Sequence, residues 1–123
     1  MRTLFHGAVL LAISMLLFGC GHAEDKTVVN YCRSIEAGKY DEAASYLSGD
    51  ARKMLETVGG KSRLADVSAQ FKQHKGIKSI DISKRVSKGD NAQVEFVYSF
   101  NDGSKYADFF PLVKEGGNWK ISR

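Results

Sequence analysis

The sequence predicts an α+β domain in which helices come first and an antiparallel meander of four strands follows. Two observations carry this. Apolar residues recur at helical spacing from Val28 to Phe71, and after Gly76 the period changes to two. Glycine-containing turns then divide the second half into runs of strand length. A sheet with one apolar face needs a cover, and the helices supply it.

Asp25 or Thr27 is placed to cap the first helix, and Glu24 and Asp25 suit its positive end. Val28, Tyr31, Cys32 and Ile35 fall at i, i+3, i+4 and i+7 and make one apolar face, which Gly38 ends. Asp41 is expected to cap a short second helix through Leu47, packed by Ala43, Ala44 and Leu47. After Ser48-Gly49-Asp50 the stripe Met54, Leu55 and Val58 reads as the inward face of a third helix. Gly59-Gly60 breaks that helix. Ser62 caps a fourth in which Leu64, Val67 and Phe71 face inward, and Lys75-Gly76 closes it.

The strands follow. Ile80, Ile82 and Val86 alternate with Asp81, Ser83 and Arg85, and Lys88 to Asn91 turn the chain. Val94, Phe96, Tyr98 and Phe100 give the clearest alternation. Asn101-Asp102-Gly103-Ser104 signals a hairpin. The third strand, Lys105 to Glu115, is apolar on both faces near Phe109-Phe110. It contains Pro111, which cannot donate to a ladder, so a bulge or bend is expected there. Trp119 and Ile121 pack the last strand.

The chain opens with Arg2 followed by an apolar run from Ala8 to Phe18, interrupted only by Ser14. That run is shorter than the roughly 20 apolar residues of a membrane span and has the layout of a secretory signal. Its ending, Leu17-Phe18-Gly19-Cys20, resembles the lipobox of bacterial lipoproteins, in which the cysteine is lipidated and becomes the first mature residue. The resulting expectation is a signal peptide at 1–19, a lipidated tether at 20–24 and one domain at 25–123. Gly21 is not the aspartate that resembles an inner-membrane retention signal. The expected address is therefore the envelope, on an outer membrane facing the periplasm where the host has one. With Cys20 lipidated, Cys32 is left as a single thiol on an apolar helix face, where packing suits it better than reactivity.

The order of elements is similar to the nuclear-transport-factor-2-like (cystatin-like) superfamily, and most of all to its small bacterial lipoproteins of the domain-of-unknown-function branch. Three stretches carry the resemblance: Ala37-Gly38-Lys39-Tyr40-Asp41-Glu42-Ala43, Ala92-Gln93-Val94-Glu95-Phe96-Val97-Tyr98, and Gly117-Asn118-Trp119-Lys120-Ile121. The resemblance implies helices packed on a curved four-stranded antiparallel sheet, a cone. It implies no activity, because this superfold hosts enzymes, binding modules and interaction domains alike.

The chemistry-bearing residues are sparse. His6 falls in the signal and His22 in the tether, leaving His74, at a helix end, for capping or exposure. No metal-ligand spacing, nucleophile motif or phosphate loop is present, and Gly59-Gly60-Lys61-Ser62 reads as a turn with a cap. No cofactor is expected. The 18 basic and 14 acidic side chains are intermixed, which argues against a nucleic-acid partner. Cone enzymes of the superfamily pair an aspartate with a tyrosine or histidine against an apolar wall. By that resemblance Asp108 and Tyr98 are the catalytic alternative, without the inward histidine of the enzyme pattern. The leading expectation is a non-catalytic lipoprotein that binds a protein partner or a small apolar ligand. Tyr98, Phe109 and Phe110 are its candidate contacts, and a sheet-to-sheet homodimer is open by analogy. Phe109 and Phe110 are adjacent and point opposite ways on a regular strand, which leaves one of them on the outer face, whereas a bulge here buries both.

Overall fold

A computed structural model describes residues 22–122. The expected signal peptide and Cys20 lie outside the described residues. Four helices, α1 (Ala23–Glu36), α2 (Tyr40–Ala44), α3 (Gly49–Thr57) and α4 (Lys61–Gln73), precede four strands. These are β1 (Ile77–Lys88), β2 (Asn91–Phe100), β3 (Lys105–Glu115) and β4 (Asn118–Ile121), antiparallel in the order β1-β2-β3-β4. The α+β class and the meander are as the periodicity predicts.

Helix α1 begins at Ala23, with His22 at the capping position, so Asp25 and Thr27 lie inside it rather than capping it. Ala23 and Glu24, expected in the tether, belong to the helix. The reason is visible on β1: Glu24 accepts a hydrogen bond from Ser87, and Asp25 takes both Arg85 Nε (3.0 Å) and Nη2 (2.9 Å). A bidentate guanidinium–carboxylate pair ties the first turn to the sheet. Val28, Cys32 and Ile35 continue the same face of the helix into the core, as expected.

Arg85 faces the helices because β1 carries a register shift between Ile82 and Lys84. One extra residue reverses the parity of everything after it. Val86, expected to continue the inward row of Ile80 and Ile82, is turned outward and is 53% exposed. The expected inward stripe of α3 is corrected in the same way: Met54 and Val58 are 64% and 61% exposed, while Ala51 and Leu55 pack inward. Ser48 caps α3 by accepting from Ala51 N–H at 3.1 Å. Leu47, expected in α2, instead forms a parallel bridge to Ile121. Helix α4 starts at Lys61 behind Gly60 rather than at a Ser62 cap.

The expected bulge at Pro111 is absent. The β2–β3 register runs unbroken from Asn91↔Val113 to Ser99↔Lys105. Pro111 C=O accepts from Ser122 N–H at 2.9 Å. A strand residue presents its N and O on the same side, so the missing N–H also faces β4, just past its last ladder pair. No β2 bond is lost. Regular pairing sets the facing of the whole strand: Phe110, opposite Val94, and Asp108, opposite Phe96, lie on the core side, and Phe109, opposite Glu95, lies on the outer side.

The core is sealed at the narrow part by Val28, Val94, Phe96, Leu112 and Ile121. At the other end α4 stops at a left-handed Lys75 and Gly76 (φ +69° and +88°). A Cβ at Gly76 would stand 3.3 Å from Glu36 Oε2, the same oxygen that accepts Ile77 N–H at 2.7 Å. Glycine is therefore required where α1, α4 and β1 meet.

Candidate functional site

A hollow with a cavity volume of about 570 Å³ opens at this wide end. The last turn of α4 gives Gln70, Phe71, Gln73 and His74 to one wall. The end of β2 gives Tyr98 and Phe100, and the start of β3 gives Tyr106, Ala107 and Asp108. The placement follows from the strand parity, since Tyr98 pairs with Tyr106 and Phe96 with Asp108 across the concave face. Four phenyl and phenol rings stand in the lining, beside the His74 imidazole. Phe71 lies 5.4 Å from Tyr98, Tyr98 stacks on Phe100 at 5.6 Å, and Tyr106 sits edge-on to Phe100 at 5.9 Å. Such offset and edge contacts hold aromatic walls rigid.

His74 is the cleft residue that sequence reasoning missed. It does stand at the C-cap of α4, but its ring stacks on Phe100 (4.9 Å, 27°) and lines the cleft. Nδ1 meets Asp102 Oδ2 at 2.9 Å and Ser104 Oγ at 3.1 Å. Ser104 N–H and hydroxyl both bond Asp102. These bonds, first those from Ser104 and then the one to His74, hold the Asp102 carboxyl down at about 2. The β2–β3 hairpin thus clamps the histidine against the aromatic wall. Both residues belong to the turn signal in the sequence, but nothing there shows that the turn folds back on a helix end 28 residues earlier.

Tyr98 and Asp108 do line one cleft, yet their polar atoms are differently engaged. The Tyr98 hydroxyl turns into the floor and shares a buried 3.4 Å hydrogen bond with Cys32 Sγ. Burial, with the neighbouring thiol adding to it, raises the Tyr98 phenol well above its ordinary range. Burial likewise pushes the Cys32 thiol up to about 12. Both stay protonated. Asp108 lies at the exposed rim, where Oδ1 accepts Phe109 N–H at 2.8 Å. It makes no ion pair among the described residues, whereas Asp25, Glu36, Asp41 and Asp102 all do.

Of the two candidate contact phenylalanines, Phe110 is corrected. It packs edge-on against Tyr31 (5.6 Å) and tilted on Phe96 (5.4 Å), as part of the core. Phe109 is 53% exposed on the outer face. A second hollow of about 280 Å³ between α2, α3 and α4 is bordered by the exposed Lys61–Asp41 ion pair (3.0 Å) and offers no aromatic stack.

Helices capping a curved meander, with an aromatic cleft at the open end, define an NTF2-like cone. The chain belongs to the DUF4878 family, a domain of unknown function, which matches residues 18–122. In fold it is similar to a Campylobacter jejuni protein named as a candidate NTF2-like transpeptidase (TM-score 0.69, 19% identity, covering 80% of this chain and 96% of that one). A SEC-C motif containing protein from Rhodopseudomonas palustris is also similar (TM-score 0.58, 14% identity, covering 89% and 84%). So is a de novo designed NTF2 fold protein (TM-score 0.52, 16% identity, covering 80% of each). At these identities the likeness concerns the fold. No curated protein matches the chain.

Proposed function

We propose that this chain is a non-catalytic lipoprotein of the bacterial envelope, held to a membrane by lipid on Cys20, whose wide-end cleft takes up a small ligand from the aqueous side. The observation that carries the reading is the polarity of α1. Its first turn is tied to Arg85 and Ser87 at one end of β1, and its last turn to Ile77 at the other. The cleft lies at the Ile77 end, because Ile77 pairs with Phe100. An anchor at Cys20 would stand three positions before the start of α1, while the cleft would open a helix length away, about 20 Å for 14 residues. Such a cleft faces water rather than bilayer. The family match takes in Gly19-Cys20, and no helix of the described residues is long and apolar enough to cross a membrane.

The test of the anchor is fractionation of cells expressing the full chain and its Cys20→Ser variant. The wild type is expected in the membrane fraction with an N-terminal mass increment on Cys20, and the variant outside that fraction. A Cys20→Ser chain that stays with membranes contradicts the reading.

A second reading, an acid–base enzyme of the isomerase or dehydratase kind, is favoured by one observation: Tyr98 and Asp108 share the cleft with His74. It asks the Tyr98 hydroxyl to leave Cys32. A ligand recovered chemically unchanged supports the binder. Conversion that is lost in both Asp108→Asn and Tyr98→Phe supports the enzyme.

A further inference from the structure

We infer that the cleft selects an organic cation, an ammonium group joined to a flat apolar or aromatic body; this rests on the reading of the cleft as a ligand site. The wall charges carry the argument. Asp108 is the acidic side chain lining the cleft, and it has no cationic partner among the described residues. Strand parity puts Asp108 on the concave side, and its Oδ1 accepts Phe109 N–H at the rim. Any charge that His74 takes up is matched by Asp102, 2.9 Å away on the side of the ring that meets the hairpin. The remaining polar groups are the amides of Gln70 and Gln73 and the Tyr106 hydroxyl.

The rings of Phe71, Phe100 and Tyr106 line the same cleft, the last 52% exposed. A cleft that combines a carboxylate with aromatic rings is a poor place for an anion and a good one for a cation, which gains from both the ion pair and the ring quadrupoles. An uncharged apolar ligand of the same shape would gain only the rings. The position of the cleft away from the expected anchor suits a ligand that travels in water, as a cation does.

The probes are benzylamine and benzyl alcohol, which have the same shape and differ by one charge at neutral pH. Each is titrated into the full chain in a non-ionic detergent while amide chemical shifts are followed. Benzylamine is expected to shift Gln70, His74, Tyr106 and Ala107 and to bind about tenfold more tightly than benzyl alcohol. Asp108→Asn keeps an acceptor for Phe109 N–H and is expected to fold normally, and it should lose most of the difference between the two probes. Asp108→Lys should lose benzylamine and gain benzoate. Equal binding of both probes by the wild type overturns cation selection and leaves the cleft as a ligand site. Cleft amides that respond to neither probe overturn both.

Discussion

Cys32 Sγ and Tyr98 Oη share a hydrogen bond across the floor of the cone, joining the first helix to the strand that lines the cleft. The pair lies beneath the ligand wall and removes a phenol from it. Tyr98 therefore contributes its ring face to the cleft, and the rim carboxylate of Asp108 is the group left to meet a ligand.

Burial makes Cys32 inert, against the small opposing pull of the Tyr98 hydrogen bond. A buried thiol held up near 12 should resist alkylation at pH 8 in the native protein and react only in denaturant. Mass spectrometry of the Cys32 peptide checks this. Cys32→Ala leaves the Tyr98 hydroxyl buried without its partner and is expected to cost about 1–3 kcal/mol in urea unfolding. Tyr98→Phe strands only a weak thiol donor and should cost less, below about 1 kcal/mol. The reverse order would mean that the hydroxyl has another partner.

Acid should loosen the domain at both ends. Burial raises the Glu24 carboxyl, but the Ser87 hydroxyl, a backbone hydrogen bond and the Arg85 charge together bring it below its ordinary 4.5. Asp102 is held near 2, chiefly by Ser104. A carboxyl with a depressed folded pKa stabilises the fold above its unfolded value, and that stability is lost as pH falls through the folded one. Urea midpoints should thus be flat above about pH 5 and decline between about pH 4.5 and 2. Ser87→Ala and Ser104→Ala should each make the decline shallower. An unchanged profile in both variants would contradict these assignments.

Neighbouring phenylalanines should behave oppositely. Phe110→Ala removes a ring packed on Tyr31 and Phe96 and is expected to cost about 3 kcal/mol. Phe109→Ala on the outer face should stay within about 0.5 kcal/mol of wild type. Equal losses, read from chemical denaturation, would mean that the β2–β3 register is wrong.

The parts of this fold legible in the sequence are those set by periodicity: the Val28-Cys32-Ile35 face, the alternation from Val94 to Phe100, and the inward face of α4. Parity was legible only where pairing is regular. On β1 the bulge after Ile82 exchanged Val86 for Arg85, and the guanidinium then found Asp25, 60 residues earlier. Pro111 suggested a bend, but its lost N–H falls where β4 has already ended. Met54 and Val58 satisfy a helical stripe that tertiary packing does not use. Tyr98 and Asp108 were legible as cleft residues because they sit on strands. His74 was not, because its place depends on a hairpin folding back over α4.

The most direct test of the central claim, that the concave wide end is the working surface, is to map a library of small soluble fragments on the full chain by amide chemical shifts. The account predicts shifts gathered on Gln70, Gln73, His74, Tyr106 and Ala107, with the outer face silent. Shifts gathered instead on Val86, Val97 and Phe109 would contradict it and make the outer face of the sheet the functional surface.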